Sequence, residues 1–300
     1  MDKEQTAIQR LQLASEMSLE YYQQPLIITD SGGKDSSVCK ELAIRAGIPF
    51  EVMHNHTTAD APETVRFVRS EAKRFEDMGI TYTINMPMYK GQRVSMWSLI
   101  PQKLMPPTRL VRYCCSVLKE TGGAGRFIAT GVRWDESVNR KNNRGIYEKI
   151  GSTKANKIIL NNDNDDHRML FENCRLQAKR VVNPIVDWLD DDVWQFLNDA
   201  NAPVNPLYAE GLCRVGCVGC PMAGKKGREA QFVRWPQYKN LYIKSFDRML
   251  EERKKRDLDG TWKNGETSKD VFNWWMEYDI LPGQVSLEEL YPEEFEGGDT

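Results

Sequence analysis

Pro25-Leu-Ile-Ile-Thr-Asp-Ser-Gly-Gly-Lys-Asp-Ser36 is the stretch that decides the fold. Its first five residues are a short apolar run of the kind that forms a buried strand. Asp30-Ser-Gly-Gly-Lys-Asp-Ser36 then turns the chain into a helix that carries Val38, Leu42 and Ala43 on one face and stops near Gly47. Two glycines let a backbone approach anionic oxygens closely and turn its N–H groups inward. The helix start adds partial positive charge. Ser31 and Ser36 offer hydroxyl donors, and Lys34 offers a full charge. Asp35 is the odd member, because an acid beside phosphate needs a compensating cation or a structural bond.

The same scheme recurs outward from this stretch. Residues 5–20 read as a helix through Ile8, Leu11, Ala14 and Met17. Phe50–His54 reads as a second strand. Asp60 follows as an N-cap with Pro62 in the first turn, and Val65, Val68, Ala72 and Phe75 carry a helix to about Met78. Ile80–Ile84 and Phe127–Thr130 read as further strands. Val181-Val182 with Ile185-Val186 reads as a fifth, interrupted at Pro184, after which Asp190 caps a helix bearing Val193, Phe196 and Leu197. Strands alternating with helices predict a parallel α/β sheet, whose ligands sit at the carboxyl ends of the strands. Residues 30–36, 55–60 and 131–140 all fall at such ends.

Residues 161–166 read as a polar loop. From about 225 the character turns basic-aromatic and then acidic. Leu250–Asp257 reads as a charged helix, Trp274, Trp275 and Tyr278 as a small helical cap on the core, and the last five residues as a frayed end. The expected division is one α/β domain over 1–224 and a C-terminal helical region over 225–300. No internal repeat is visible.

Three hundred residues, 40% of them hydrophobic and 28% charged, exclude a disordered chain, a collagen-like repeat and a disulfide mini-scaffold. No apolar run approaches the roughly 18–20 residues that span a bilayer, so no membrane partner is expected. The polar start MDKEQTAIQR has no apolar signal core, which makes the cytoplasm the expected location. A net charge of −2 gives no global basic field, so a nucleic-acid partner would need a local patch. Seven cysteines in a reducing compartment point to metal binding or catalysis before disulfides.

Ser31-Gly-Gly-Lys-Asp-Ser36 is too short for the Walker pattern, which ends in Gly-Lys-Ser/Thr. It resembles the PP-loop of ATP pyrophosphatases, which split ATP between its α- and β-phosphates. Thr57-Thr-Ala-Asp-Ala-Pro-Glu63 follows the second strand. Gly131-Val-Arg-Trp-Asp-Glu-Ser137 with Arg140 follows the fourth, with Tyr113-Cys-Cys115 before it and Gly216-Cys-Val-Gly-Cys-Pro221 after it. Together, over about residues 22–225, these resemble the phosphoadenosine phosphosulfate (PAPS) reductase family. That family includes sulfonucleotide reductases, the small subunit of ATP sulfurylase, and the ATP pyrophosphatases of DNA phosphorothioation. The resemblance implies an adenine-nucleotide α-hydrolase-like parallel sheet with helices on both faces. It implies ATP and Mg²⁺, with the phosphates over Ser31, Gly32, Gly33, Lys34, Asp35 and Ser36 and with Thr58 and Gly131 beside them. Lys34, Arg133 and Arg140 would act on the leaving-group oxygens, since a guanidinium pairs bidentately with oxyanions. The other reading of Arg133 and Arg140 is a surface ion pair with Asp135 or Glu136. Asp60 or Glu63 would hold Mg²⁺, or Asp60 is only a helix cap. His54 and His56 alternate at a strand end and so point to opposite faces, which favours structural roles.

Cys217-Val-Gly-Cys220 is a two-thiolate knuckle, and Cys114-Cys115 lies about a hundred residues earlier. Adjacent cysteines are expected to diverge, which is awkward for one tetrahedral ion and better suited to a larger cube. The arrangement is similar to that of the [4Fe–4S] adenylyl-sulfate reductases. This implies Cys114, Cys115, Cys217 and Cys220 as cluster ligands, with Cys174 as a substitute for Cys114 and zinc as the alternative metal. Cys213 also competes, and Cys39 reads as a core residue.

The sulfonucleotide reductases attack with a cysteine in a C-terminal Glu-Cys-Gly-type motif. No cysteine follows Cys220 here, so that route would need another thiol such as Cys213. Ser-Gly-Gly-Lys-Asp-Ser has the ATP-pyrophosphatase form. The first expectation is therefore an Mg-ATP-dependent adenylating enzyme that releases pyrophosphate and prepares an acceptor for sulfur transfer, with an unidentified sulfur donor or acceptor as partner. A PAPS or adenylyl-sulfate reductase is the alternative. A third reading is a catalytically silent nucleotide-binding component of a DNA-modification or defence complex. It rests on Lys225, Lys226 and Arg228 with Phe232, Arg234, Trp235 and Tyr238, a composition that suits single strands when exposed and a packed helix face when buried.

Overall fold

The computed structural model describes residues 2–150, 158–160, 179–258 and 264–278. The 161–166 loop, Cys174 and the chain end lie outside the described residues. In chain order the first elements are α1 (Lys3–Tyr22), β1 (Leu26–Asp30), α2 (Lys34–Ala46), β2 (Phe50–Asn55), α3 (Pro62–Asp77) and β3 (Tyr82–Asn85). Then come β4 (Met88–Tyr89), β5 (Gln92–Arg93), α4 (Met96–Lys103), α5 (Tyr113–Leu118), β6 (Phe127–Ala129), α6 (Val138–Asn143), β7 (Tyr147–Ile150), β8 (Ile158–Leu160) and β9 (Lys179–Val182). Four helices follow: α7 (Asp190–Asp199), α8 (Gly224–Arg234), α9 (Pro236–Lys255) and α10 (Ser268–Trp275). The chain forms two compact units. One comprises residues 1–55, 62–85 and 121–215, and the other comprises 56–61, 86–120 and 216–300.

The first unit is a mostly parallel sheet with helices around it. Its strand order is β3-β2-β1-β6-β9-β7-β8. The first five strands are parallel, with Leu26 opposite Phe50 and Ile27 opposite Ile128. Side chains of a strand alternate between faces, and the core follows that period. Leu26, Ile28, Phe50, Val52, Phe127 and Ala129 pack with apolar stripes of α1, α2, α3 and α7. Ile27, Met53, Ile128 and Val181 form a separate cluster on the opposite face. The order reverses between β1 and β6, and the crevice outside their carboxyl ends is where such sheets take ligands.

Two local features differ from the sequence reading. β7 extends the sheet antiparallel to β9, and β8 pairs antiparallel with β7, although Tyr147-Glu-Lys-Ile150 does not read as a strand. Glu148 breaks the pattern, yet its side chain is fully buried and paired with Arg144 at 2.6 Å and the Asn183 amide at 2.8 Å. Asp190 is not a cap but the first residue of α7. Leu189 holds the cap position, and its N–H donates to the Asp192 carboxylate at 2.6 Å.

The second unit holds the helices after residue 224 and a hairpin the sequence did not signal. β4 and β5 pair around Lys90 and Gly91, both with positive φ, the signature of a tight two-residue turn. The helix expected over 250–257 begins much earlier, at Pro236, whose ring suits a first helical turn. Phe232, Tyr242, Phe246, Phe272 and Trp275 make an aromatic core, with Tyr242 and Trp275 ring centroids 4.6 Å apart. Among the described residues, no helix is long and apolar enough to cross a membrane.

Candidate functional site

In the first unit, the loop between β1 and α2 rests on a buried ion network. Asp30 Oδ1 accepts the Gly32 N–H at 2.7 Å and the Ser36 hydroxyl at 2.9 Å. Its Oδ2 accepts Lys40 Nζ at 2.6 Å and the Tyr82 hydroxyl at 2.7 Å. Lys40 is 0% exposed and also meets Glu71 at 2.8 Å. Burial opposes the charge on Asp30, but Lys40 beside it and the donors of Gly32 and Tyr82 hold its carboxyl far below the usual range. Gly32 has φ +74°, and a Cβ there would stand 2.8 Å from Thr64 Cγ2, so only glycine follows this path. The Asn205 amide donates to the Gly32 carbonyl at 3.0 Å and fixes the turn from the other side.

Gly33 occupies the cap position of α2 and brings no side-chain acceptor, an arrangement that suits an external oxyanion. Lys34, the first residue of α2, places Nζ 2.7 Å from Asp190 Oδ1 and over the Trp194 and Tyr208 rings. Arg133 Nη2 lies 2.7 Å from the same oxygen. Its Nε is 2.7 Å from Asp35 and its Nη1 3.3 Å from Asp135. The cation that Asp35 requires is therefore Arg133. Arg133 itself is 2% exposed, whereas its carboxylate partners are partly open, Asp135 among them as its second reading named. Gly131 makes this approach practicable, since a Cβ there would stand 2.7 Å from the Asp35 backbone carbon.

Arg140 pairs with Glu136, the partner its second reading named. Burial and the like charges of Arg214, Arg144 and Arg133 bring its guanidinium down to about 10. A crowded set of arginines is eased by an anion. His54 is buried with Nδ1 2.9 Å from the Asp30 carbonyl, a structural placement.

In the second unit, the Thr58 hydroxyl oxygen accepts the Met96 N–H at 2.8 Å. The Asp60 carboxylate accepts the Thr57 N–H at 3.0 Å and lies 3.6 Å from His56. Cys114, Cys115, Cys217 and Cys220 line one cleft of about 360 Å³ of non-atom space, with Thr57, Lys119 and Tyr242 in its wall. The adjacent pair does not diverge as expected, because Cys114 lies within hydrogen-bond reach of Cys115 at the start of α5. Cys114 as donor, with Arg112 donating at 3.4 Å, lowers the Cys115 thiol below its usual range. Burial pushes Cys217 up to about 11. The knuckle is clamped by residues that carry no recognisable signal: the Tyr242 hydroxyl donates to the Val218 carbonyl at 3.0 Å, and the Gly219 N–H donates to Gln231 at 2.7 Å. Four soft donors converging on one cleft fit a thiolate-bound metal. Cys39 is buried in the core of the first unit, and Cys213 is exposed.

The basic-aromatic stretch is largely spent on packing. Phe232 and Trp235 are buried, the Arg228 guanidinium donates to the Trp275 carbonyl at 2.6 Å, and the Tyr238 hydroxyl donates to the Asp60 carbonyl.

Comparison with known proteins gives this geometry a family. The model of the phosphoadenosine phosphosulfate reductase domain matches residues 25–223. An uncharacterised 37.8 kDa protein of Escherichia phage 186 is 39% identical over 246 residues, 70% of this chain and 71% of that one. Uncharacterised protein MJ0973 of Methanocaldococcus jannaschii is 29% identical over 236 residues, 76% of this chain and 47% of its own, so the chain spans about half the length of that relative. An adenosine 5′-phosphosulfate reductase of Burkholderia cepacia is 42% identical over 68 residues, 22% of this chain and 27% of its own. With two thirds of its length matched, the chain belongs to the phosphoadenosine phosphosulfate reductase domain family.

Proposed function

We propose that the protein is a PP-loop enzyme that binds Mg-ATP over Ser31–Ser36 and splits it into AMP and pyrophosphate. The observation that carries this reading is the convergence of Lys34, the first residue of α2, and Arg133 on one oxyanion. An acceptor oxygen attacks the α-phosphorus, the bond to the bridging oxygen of the β-phosphate breaks, and pyrophosphate departs. The acceptor is then an adenylate, ready for displacement by sulfur. Lys34, Arg133 and Arg140 take up the charge that grows on the leaving group, and the loop glycines let the backbone close on it. Gly131 flanks the nucleotide.

Cys114, Cys115, Cys217 and Cys220 would hold a [4Fe–4S] cluster, which supplies either a structural clasp or a place to handle sulfur. Iron analysis of anaerobically purified protein tests this, with roughly four irons per chain expected and loss of them in Cys217→Ser. A single zinc per chain would select the alternative metal.

A reductase is the second reading. It is favoured by the exposure of Cys213, next to the Arg214 that crowds Arg140. Anaerobic calorimetry against Mg-ATP, adenylyl sulfate and PAPS separates the two. Mg-ATP is expected to bind at least about tenfold more tightly than either sulfonucleotide, a gap of about 1.4 kcal/mol. The reverse order would make the reductase reading the better one.

A further inference from the structure

We propose that Asp190 is a built-in stand-in for a phosphate oxygen: its carboxylate occupies the point between Lys34 and Arg133 that an incoming polyphosphate must take, and binding proceeds by exchange of one anion for the other. This rests on the reading of the loop as a phosphate site. One Asp190 oxygen receives both Lys34 Nζ and Arg133 Nη2 at 2.7 Å. That is the bridging geometry a phosphate oxygen adopts between an ammonium and a guanidinium.

The two cations are the fixed partners. Arg133 is 2% exposed and stays tied to Asp35 and Asp135 through its other nitrogens. Lys34 is buried between the Trp194 and Tyr208 rings. The Asp190 side chain, by contrast, is 47% exposed. It has no capping duty to keep it in place, because Asp192 performs that role for α7. When a phosphate arrives, the carboxylate is the group that can swing to solvent while both cations remain where they are. Such competition lowers affinity for every polyphosphate, product pyrophosphate included, and so favours product release.

The test is calorimetry of the full chain against inorganic pyrophosphate with Mg²⁺. Asp190→Asn removes the competing charge and keeps the shape. It is expected to bind pyrophosphate on the order of tenfold more tightly than the wild type, the size of one charge-assisted contact. Asp191→Asn makes the same charge change on an exposed neighbour and is expected to shift affinity less than about twofold, since solvent screens such a charge. Unchanged or weaker binding in Asp190→Asn would overturn the proposal, because an anchor that merely positions the cations predicts that result. An equal gain in both variants would also overturn it, as an effect of net charge. If the wild type binds pyrophosphate and Mg-ATP but Asp190→Asn gains nothing, only the exchange fails. If neither protein binds either ligand, the phosphate reading of the loop fails with it.

Discussion

Lys40→Met is expected to destabilise the protein by about 3–5 kcal/mol, read as a fall in the urea midpoint. The residue is wholly enclosed and neutralises two carboxylates, Asp30 at 2.6 Å and Glu71 at 2.8 Å. Methionine matches its bulk but leaves Asp30 charged and buried with neutral donors alone. Glu71 keeps a second cation, Arg74 at 2.9 Å, so the loss concentrates on Asp30. Adding Asp30→Asn should recover part of the deficit, because the pair interacts directly and its effects are not additive. A midpoint equal to the wild type would show that the triad contributes nothing net.

The same network sets an acid limit. The folded-state pKa of Asp30 lies below its unfolded value, so its contribution is fully present above about pH 4 and is lost as pH falls further toward the folded value.

Lys34→Ala is expected to lower pyrophosphate release from Mg-ATP at least about a hundredfold, the scale of removing one preorganised charge from a developing oxyanion. Mg-ATP affinity should fall by roughly tenfold or more as one charged hydrogen bond disappears. The substitution also frees Asp190 from one of its two cations, but Arg133 still holds it. Retained turnover in Lys34→Ala would remove the loop lysine from the catalytic set.

The parallel strands and the loop were legible because their signals are local. Residues 25–28 are an apolar run, and Gly32-Gly33 mark the strand-to-helix turn that follows it. What surrounds the loop was not legible, because it depends on partners distant in the chain. Asp190 read as a cap because nothing in its neighbourhood points to Lys34, 156 positions away, or to Arg133. Lys40, Glu71 and Tyr82 read as ordinary helix and strand residues until the fold buried them on Asp30. β7 was hidden by Glu148, a buried acid that looks like a surface residue in a window of sequence. Among the cysteines, Cys-x-x-Cys announced itself. The side-by-side placement of Cys114 and Cys115 depends instead on the turn that starts α5.

The hydrogen bond from Tyr242 to the carbonyl of Val218 ties the knuckle to the aromatic core of its unit. In many small metal sites the ion organises the chain around itself, and chelation unfolds the protein. Here a core of tilted and edge-to-face rings carries the shape of the Cys217–Cys220 knuckle. A metal held by these thiols, as proposed, would have little ordering entropy to overcome, and its binding energy would go into holding the ion more than into folding.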